Sequence, residues 1–176
     1  SVANGKIYRR TPFKQVYVQS AAGDAGGAIG AAFVVANDLS ESKGRFSMDH
    51  AYLGPSFDDS EHERLLLKRE ADLQAEGCVV QRAEDDVRLC QTTAQAIAEG
   101  KVVGWFQGRM EWGPRALGNR SILCDPCRAD MKDILNLKIK RRESFRPFAP
   151  SILREEVSHW FEEEDDVPFM MQVFQI

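Results

Sequence analysis

The residues best suited to chemistry lie in one stretch of the 176-residue chain, positions 108–121, which read Gly-Arg-Met-Glu-Trp-Gly-Pro-Arg-Ala-Leu-Gly-Asn-Arg-Ser. Arg109, Arg115 and Arg120 alternate there with Gly108, Gly113 and Gly118. Glycine lets a backbone approach a ligand closely, and a guanidinium grips phosphate or carboxylate through two parallel hydrogen bonds. The pattern suits a small anion. Trp112 is expected to fill the core, with stacking on an arginine as the alternative.

A second cluster runs through Lys138, Lys140, Arg141, Arg142, Glu143 and Arg146. Cations at a helix C-terminus complement the helix dipole, which explains part of it. Arg146, between Phe145 and Pro147-Phe148, is expected in apolar surroundings against a fixed anion; a structural ion pair with Glu143 is the alternative. The third candidate is Asp24, within Ala22-Gly23-Asp24-Ala25-Gly26-Gly27. A carboxylate before a glycine-opened helix suits a metal or phosphate site, or is simply the helix N-cap. Cys124 and Cys127 form a single CxxC pair without a second pair or a neighbouring histidine, and zinc requires four ligands. His50, His62 and His159 have neither triad nor HExxH spacing and read as surface residues.

The net charge of −4 conceals an asymmetry: residues 101–154 carry +7 and the remainder −11. A basic island between acidic flanks suits a small anion better than nucleic acid, which selects domains basic overall. A solvated charged surface is the plain alternative.

These residues need a scaffold. Residues 13–19 alternate as a strand does, and the small apolar residues 28–36 read as a packed helix. Residues 38–59 are polar and irregular. Ser60 and Glu63 have the capping-box spacing ahead of a helix that Gly77 ends. A short strand is expected at 78–81, a helix at 85–99 closed by Gly100, strands at 101–107 and 121–123, and a helix at 129–140. Residues 145–153 are extended because of Pro147 and Pro150. Short strands alternating with helices indicate an α/β fold, and a composition shift near 38–60 marks a domain boundary. With 43% hydrophobic and 28% charged residues the composition is that of a globular protein. No apolar run reaches the ~18 residues of a membrane span, no signal peptide is visible, and four cysteines without a disulfide framework fit a reducing cytoplasm. The chain starts without Met and stops within an apolar, strand-forming run at 169–176, so a piece of a longer protein is expected.

Residues 113–121, 136–140 and 142–150, with residues 2–6 and 12–32, resemble the carbamoyltransferase family of NodU and CmcH. The resemblance implies the end of an ASKHA (TsaD-like) transfer domain at 1–55, a linking region at 56–82, and part of a YrdC-like twisted open α/β sheet at 83–176. It also implies an ATP-dependent O-carbamoyltransferase. Carbamoyl phosphate and ATP give carbamoyl-adenylate and pyrophosphate, and the carbamoyl group passes to a hydroxyl of a small molecule or oligosaccharide, such as a nodulation factor or an antibiotic. Carried over, Arg115, Lys140 and Arg146 hold carbamoyl phosphate and the adenylate, with Asn119 and Arg120 as further cofactor contacts. Asp24 becomes a ligand of a divalent transition metal such as Fe, completed by histidines from an earlier part of the chain. Mg²⁺ accompanies ATP. No nucleic acid or membrane is an expected partner, and a homodimer is possible. The chain departs from the family pattern at Cys124-Asp-Pro-Cys127-Arg128, where a small residue followed by Asp-Pro-Arg is expected. The competing class is an RNA-binding or tRNA-modification module, with Trp105, Phe106, Trp112, Phe145 and Phe148 as stacking platforms. Their buried-looking settings and the acidic flanks count against it.

Overall fold

The computed structural model describes residues 2–41, 44, 46–163 and 165–176. The irregular stretch 38–59 read from sequence includes residues outside that set. In chain order the elements are α1 (Val2–Gly5), α2 (Ile7–Arg10), α3 (Gly26–Leu39), α4 (Asp59–Lys68), α5 (Glu70–Ala75), α6 (Asp86–Ala98), β1 (Val103–Phe106), β2 (Arg120–Leu123), α7 (Met131–Asp133), a π-helical turn (Ile134–Ile139), a 3-10 turn (Arg154–Glu156) and α8 (Val157–Trp160). The fold is mixed α/β. The chain divides into two units, one of Ser1–Gly54, Glu111–Gly118 and Phe148–Ile176, the other of Pro55–Met110 and Asn119–Pro147.

In the first unit Met48, Ala51 and Phe169 are buried, and Ile29 and Phe33 of α3 pack on them with Leu117 and Met171. The N-terminal helices are tied to the end of the chain. Asn4 donates to the Met171 carbonyl at 2.7 Å, and Arg9 pairs with Glu162 and, at 2.5 Å, with Glu163. Gly5 lies so close to Val173 that an added Cβ would stand 2.1 Å from its carbonyl oxygen.

The second unit is built on local signals. Asp58 opens α4 by accepting the Glu61 N–H at 2.9 Å, and Glu61 returns the bond to the Asp58 N–H at 3.0 Å. This capping box falls two residues before the expected Ser60–Glu63 pair. The reason is chemical: Ser60 spends its hydroxyl donating to Asp58 at 2.7 Å, and the ionised carboxylate is the stronger acceptor. Gly77 at φ +67 lets the Cys78 N–H reach back to the Leu73 carbonyl at 2.8 Å, closing α5. Asp85 caps α6 through the Arg88 N–H at 2.7 Å. Strands β1 and β2 pair antiparallel, from Val103 opposite Leu123 to Phe106 opposite Arg120.

Three expected strands are corrected. Residues 13–19, 78–81 and 169–176 join no ladder, and an extended segment becomes a strand only when its N–H and C=O groups find a partner chain. The helix expected over 129–140 is a short α7 that widens into the π turn, where the Lys140 N–H bonds the carbonyl of Leu135, five residues back, at 2.8 Å. Met131 and Leu135 are its buried apolar residues. Among the described residues no helix is long and apolar enough to cross a membrane.

The cap of α4 is pH-dependent. Asp58 is held below the usual carboxylate range, first by the Ser60 hydroxyl and then by the Glu61 N–H. A depressed native pKa stabilises the fold above the unfolded pKa of about 3.9, and that contribution is lost as the pH falls through the native value. NMR titration should find the Asp58 carboxyl titrating below its free value, with the amide signal of Glu61 moving in step. In an Asp58→Asn variant that acid-side amide shift should disappear. An Asp58 midpoint at or above the free value would refute the cap.

Candidate functional site

The first unit brings two of the sequence motifs together. Residues 20–26 form a tight turn into α3: Ser20 is buried, Ala21 takes a positive φ of 53, the Gly23 N–H donates to the Ala21 carbonyl at 2.6 Å, and Gly26 donates to Gly23 at 3.1 Å. Glu111–Gly118 forms the facing loop. Its Glu111 carboxylate accepts the Leu117 N–H at 2.7 Å, the Tyr52 hydroxyl donates to the Leu117 carbonyl at 2.9 Å, and the Trp112 N–H donates to Ala51 at 2.5 Å. Gly113, at φ +103, meets Ala21 so closely that a Cβ on it would lie 2.7 Å from the Ala21 Cβ.

A cavity of about 240 Å³ opens beside this contact, lined by Ala21, Ala22 and Gly23 on one side and Trp112, Pro114 and Arg115 on the other, with Phe169 and Met171 at its apolar end. Arg115 is exposed there. Trp112 does not only fill the core: it is half-buried, and its indole Nε1 is buried without a hydrogen-bond partner among the described residues. A buried donor without an acceptor costs roughly 1–3 kcal/mol.

Asp24 sits exposed in the turn and does not line the cavity. It is not the N-cap of α3 either, because Ala25 occupies that position with no side-chain cap. Among the described residues no three His, Cys, Asp or Glu side chains gather as metal donors, so these residues alone do not fit a transition metal. The Cys124 thiol is pushed up, first by burial and then by Asp125, which disfavours the thiolate that metals and electrophiles require.

The other proposed residues lie in the second unit. Arg120 donates to the carbonyls of Gln107 at 2.5 Å, Asn119 at 2.9 Å and Gly108 at 3.1 Å, and its guanidinium stands 3.5 Å over the Phe106 ring. Asn119 donates to the Arg109 carbonyl at 2.7 Å and accepts from Gln107 at 3.1 Å. Together they brace the turn after β1. Lys140 is exposed at the end of the π turn.

Arg146 corrects an expectation. Its side chain is 52% exposed and pairs with Glu143 at 2.8 Å, and neighbouring Phe145 is 74% exposed, so its setting is solvent and a carboxylate. Two bulky apolar neighbours in sequence do not bury an arginine unless the chain folds over it. Glu143 is held below the usual carboxylate range, first by its own backbone N–H and then by Arg146. Phe106 and Phe148 are exposed as well, against the burial expected of them.

Asn136, within the 136–140 motif but without a role expected of it, is the most deeply buried polar side chain described, at 0% exposure. The signal was a lone amide inside Ile134-Leu135-Asn136-Leu137, since asparagine is rarely buried unless it is bonded.

The fold is mixed α/β, with Arg115 and Trp112 beside a glycine-shaped turn. Residues 94–176 match the family described as Carbamoyltransferase C-terminus, and residues 1–33 match Carbamoyltransferase N-terminus. The chain is 46% identical over 182 residues to an uncharacterized protein of Synechocystis sp., covering 99% of this chain and 28% of that protein. It is 44% identical over 171 residues to nodulation protein NolNO of Sinorhizobium fredii, covering 95% of this chain and 24% of that protein. It is also 45% identical over 78 residues to the 3'-hydroxymethylcephem-O-carbamoyltransferase of Streptomyces clavuligerus, covering 44% of this chain and 15% of that enzyme. The chain belongs to the carbamoyltransferase family of NodU and CmcH type. It spans about a quarter of the length of the first two relatives.

The contact at Gly113 is testable by stability. Gly113→Ala should cost about 1–3 kcal/mol, because alanine is strained at this φ and meets Ala21. Gly30→Ala, in α3 with open space around it, should instead be neutral or stabilise by up to about 1 kcal/mol. Denaturant titration of both variants checks this; equal effects would refute the contact.

Proposed function

We propose that this chain is the anion-handling part of an ATP-dependent O-carbamoyltransferase. The observation that carries the reading is the meeting of Arg115 with the 21–23 turn and Trp112 around one cavity. The family supports carbamoyl transfer, and the Streptomyces relative is named for acting on a hydroxymethyl oxygen, which supports a hydroxyl acceptor.

The chemistry sets the demand for cations. To join AMP, the carbamoyl group must first lose the phosphate it arrives with. Water attacks the phosphorus of carbamoyl phosphate and the P–O bond to the carbamate oxygen breaks, giving inorganic phosphate and carbamate; a carbamate oxygen then attacks the α-phosphorus of ATP as pyrophosphate departs. The acceptor oxygen then attacks the carbamoyl carbon, loses its proton, and AMP leaves. Every step before transfer brings anions together, so fixed Arg and Lys donors lower the barrier by offsetting repulsion. Arg115 in the first unit, and Lys140 and Arg146 in the second, are the residues of this chain assigned to bind the anionic substrates. The Glu143 partner of Arg146 is then a placeholder that the substrate anion displaces. Asn119 and Arg120 serve the nucleotide by fixing the backbone turn after β1. ATP brings Mg²⁺, which neutralises phosphate charge when bound. Asp24 would need metal donors beyond the described residues, and no step here is routed through it. The acceptor is a hydroxyl of a small molecule or oligosaccharide, the reaction is cytoplasmic, and nucleic acid is not a partner.

The test is carbamoyl-phosphate-dependent exchange of pyrophosphate into ATP by the full-length protein. Arg115→Ala, Lys140→Ala and Arg146→Ala should each lower kcat/KM for carbamoyl phosphate about tenfold to a hundredfold, the weight of a charge-assisted hydrogen bond. Arg146→Lys should stay impaired, since an ammonium cannot reproduce the guanidinium fork. Wild-type rates in all three alanine variants would refute the assignment.

A further inference from the structure

We infer that Asn136 is a positioning residue of the carbamoyl-phosphate grip, fixing the backbone from which Arg146 extends. The inference rests on the function proposed above. Asn136 is fully buried at the π turn, and its amide reaches three groups of the segment that follows. Its Nδ2 donates to the carbonyls of Ser144 at 3.2 Å and Arg146 at 2.9 Å, and its Oδ1 accepts from Arg142 Nε at 2.7 Å. Its own carbonyl takes the Arg142 N–H at 2.9 Å.

Between these contacts the chain reverses at Arg141, a non-glycine residue at φ +49. Such a reversal is unfavourable for a long side chain and persists only where surrounding bonds fix it. Asn136 supplies those bonds. The amide uses both its donors on backbone carbonyls, a match that neither a hydroxyl nor a carboxylate of similar size can make. The anchored atoms are main-chain carbonyls, so the Arg146 side chain stays exposed while its Cα is fixed. Lys140 leaves the π turn four residues after Asn136, so one buried amide sets the spacing of Lys140 from Arg146. A π-helical turn is rare, and such turns gather at functional sites.

Steady-state pyrophosphate exchange by the full-length protein separates positioning from simple stabilisation. Asn136→Ala should raise KM for carbamoyl phosphate at least tenfold, with KM for ATP changed less than threefold. In an Arg146→Ala background the same substitution should add less than twofold, because the group it acts through is already gone. Asn136→Asp keeps the acceptor for Arg142 and the side-chain volume but loses the two donors, so it should show the same selective KM rise if Asn136→Ala does not fold. Loss of the fold in both variants would make the residue purely structural and overturn the inference, as would equal changes in both KM values or full additivity with Arg146→Ala. A wild-type protein without carbamoyl-phosphate-dependent exchange would overturn the functional reading itself and the inference with it. Wild-type exchange with an unmoved KM would overturn the inference alone.

Discussion

The turn at Ala21 constrains the first unit more than any other feature. A non-glycine residue at φ 53 is tolerated only where its neighbours leave room, and two glycines provide it. A Cβ on Gly26 would come within 2.5 Å of the Ala21 carbonyl oxygen, and one on Gly113 within 2.7 Å of the Ala21 Cβ. Close packing at these positions seats the 111–118 loop against residues 20–26. Arg115 and Trp112 reach one cavity because of that seating, and α3 starts where it does because Gly26 follows the turn. The shape of the cavity is thus a consequence of absent methyl groups.

The second unit positions its cations by the opposite means, with polar groups consumed inside the fold. Arg120 is committed to three carbonyls and Asn136 to two carbonyls and a guanidinium. Arg128 binds Asp130 and the Gly100 carbonyl, tying the end of α6 to the segment after β2. An arginine-rich sequence therefore holds two kinds of arginine. Some are braces, while Arg146 stands exposed with Glu143 as its partner, and Lys140 nearby is exposed too. The composition of the basic island cannot separate these roles, because the distinction lies in which carbonyls the fold leaves unpaired.

Local signals carried well from sequence to structure. The glycine closures at Gly77 and Gly100, the helix after Asp85, and strands β1 and β2 all follow from residues within a few positions of one another. Signals that depend on distant partners did not. Phe13, Val16 and Val18 alternate as a strand does, yet no second strand pairs with them, and Phe13 is 65% exposed. The burial expected around Arg146 failed for the same reason: flanking aromatic residues bury an arginine only if another element covers them. The meeting of the Ala21-Ala22-Gly23 turn with Trp112 and Arg115, some 90 positions away, was not legible from either motif, though both had been singled out. Asn136 was legible in kind, as a lone amide in an apolar run, but its three bonds depend on the reversal at Arg141.

The most direct measurement is a crystal structure of the full-length protein with carbamoyl phosphate bound. The account predicts phosphate or carbamoyl oxygens within about 3 Å of the assigned cations Arg115, Lys140 and Arg146, with Glu143 displaced from Arg146. Carbamoyl phosphate bound away from all three, with Arg146 still paired to Glu143, would contradict it.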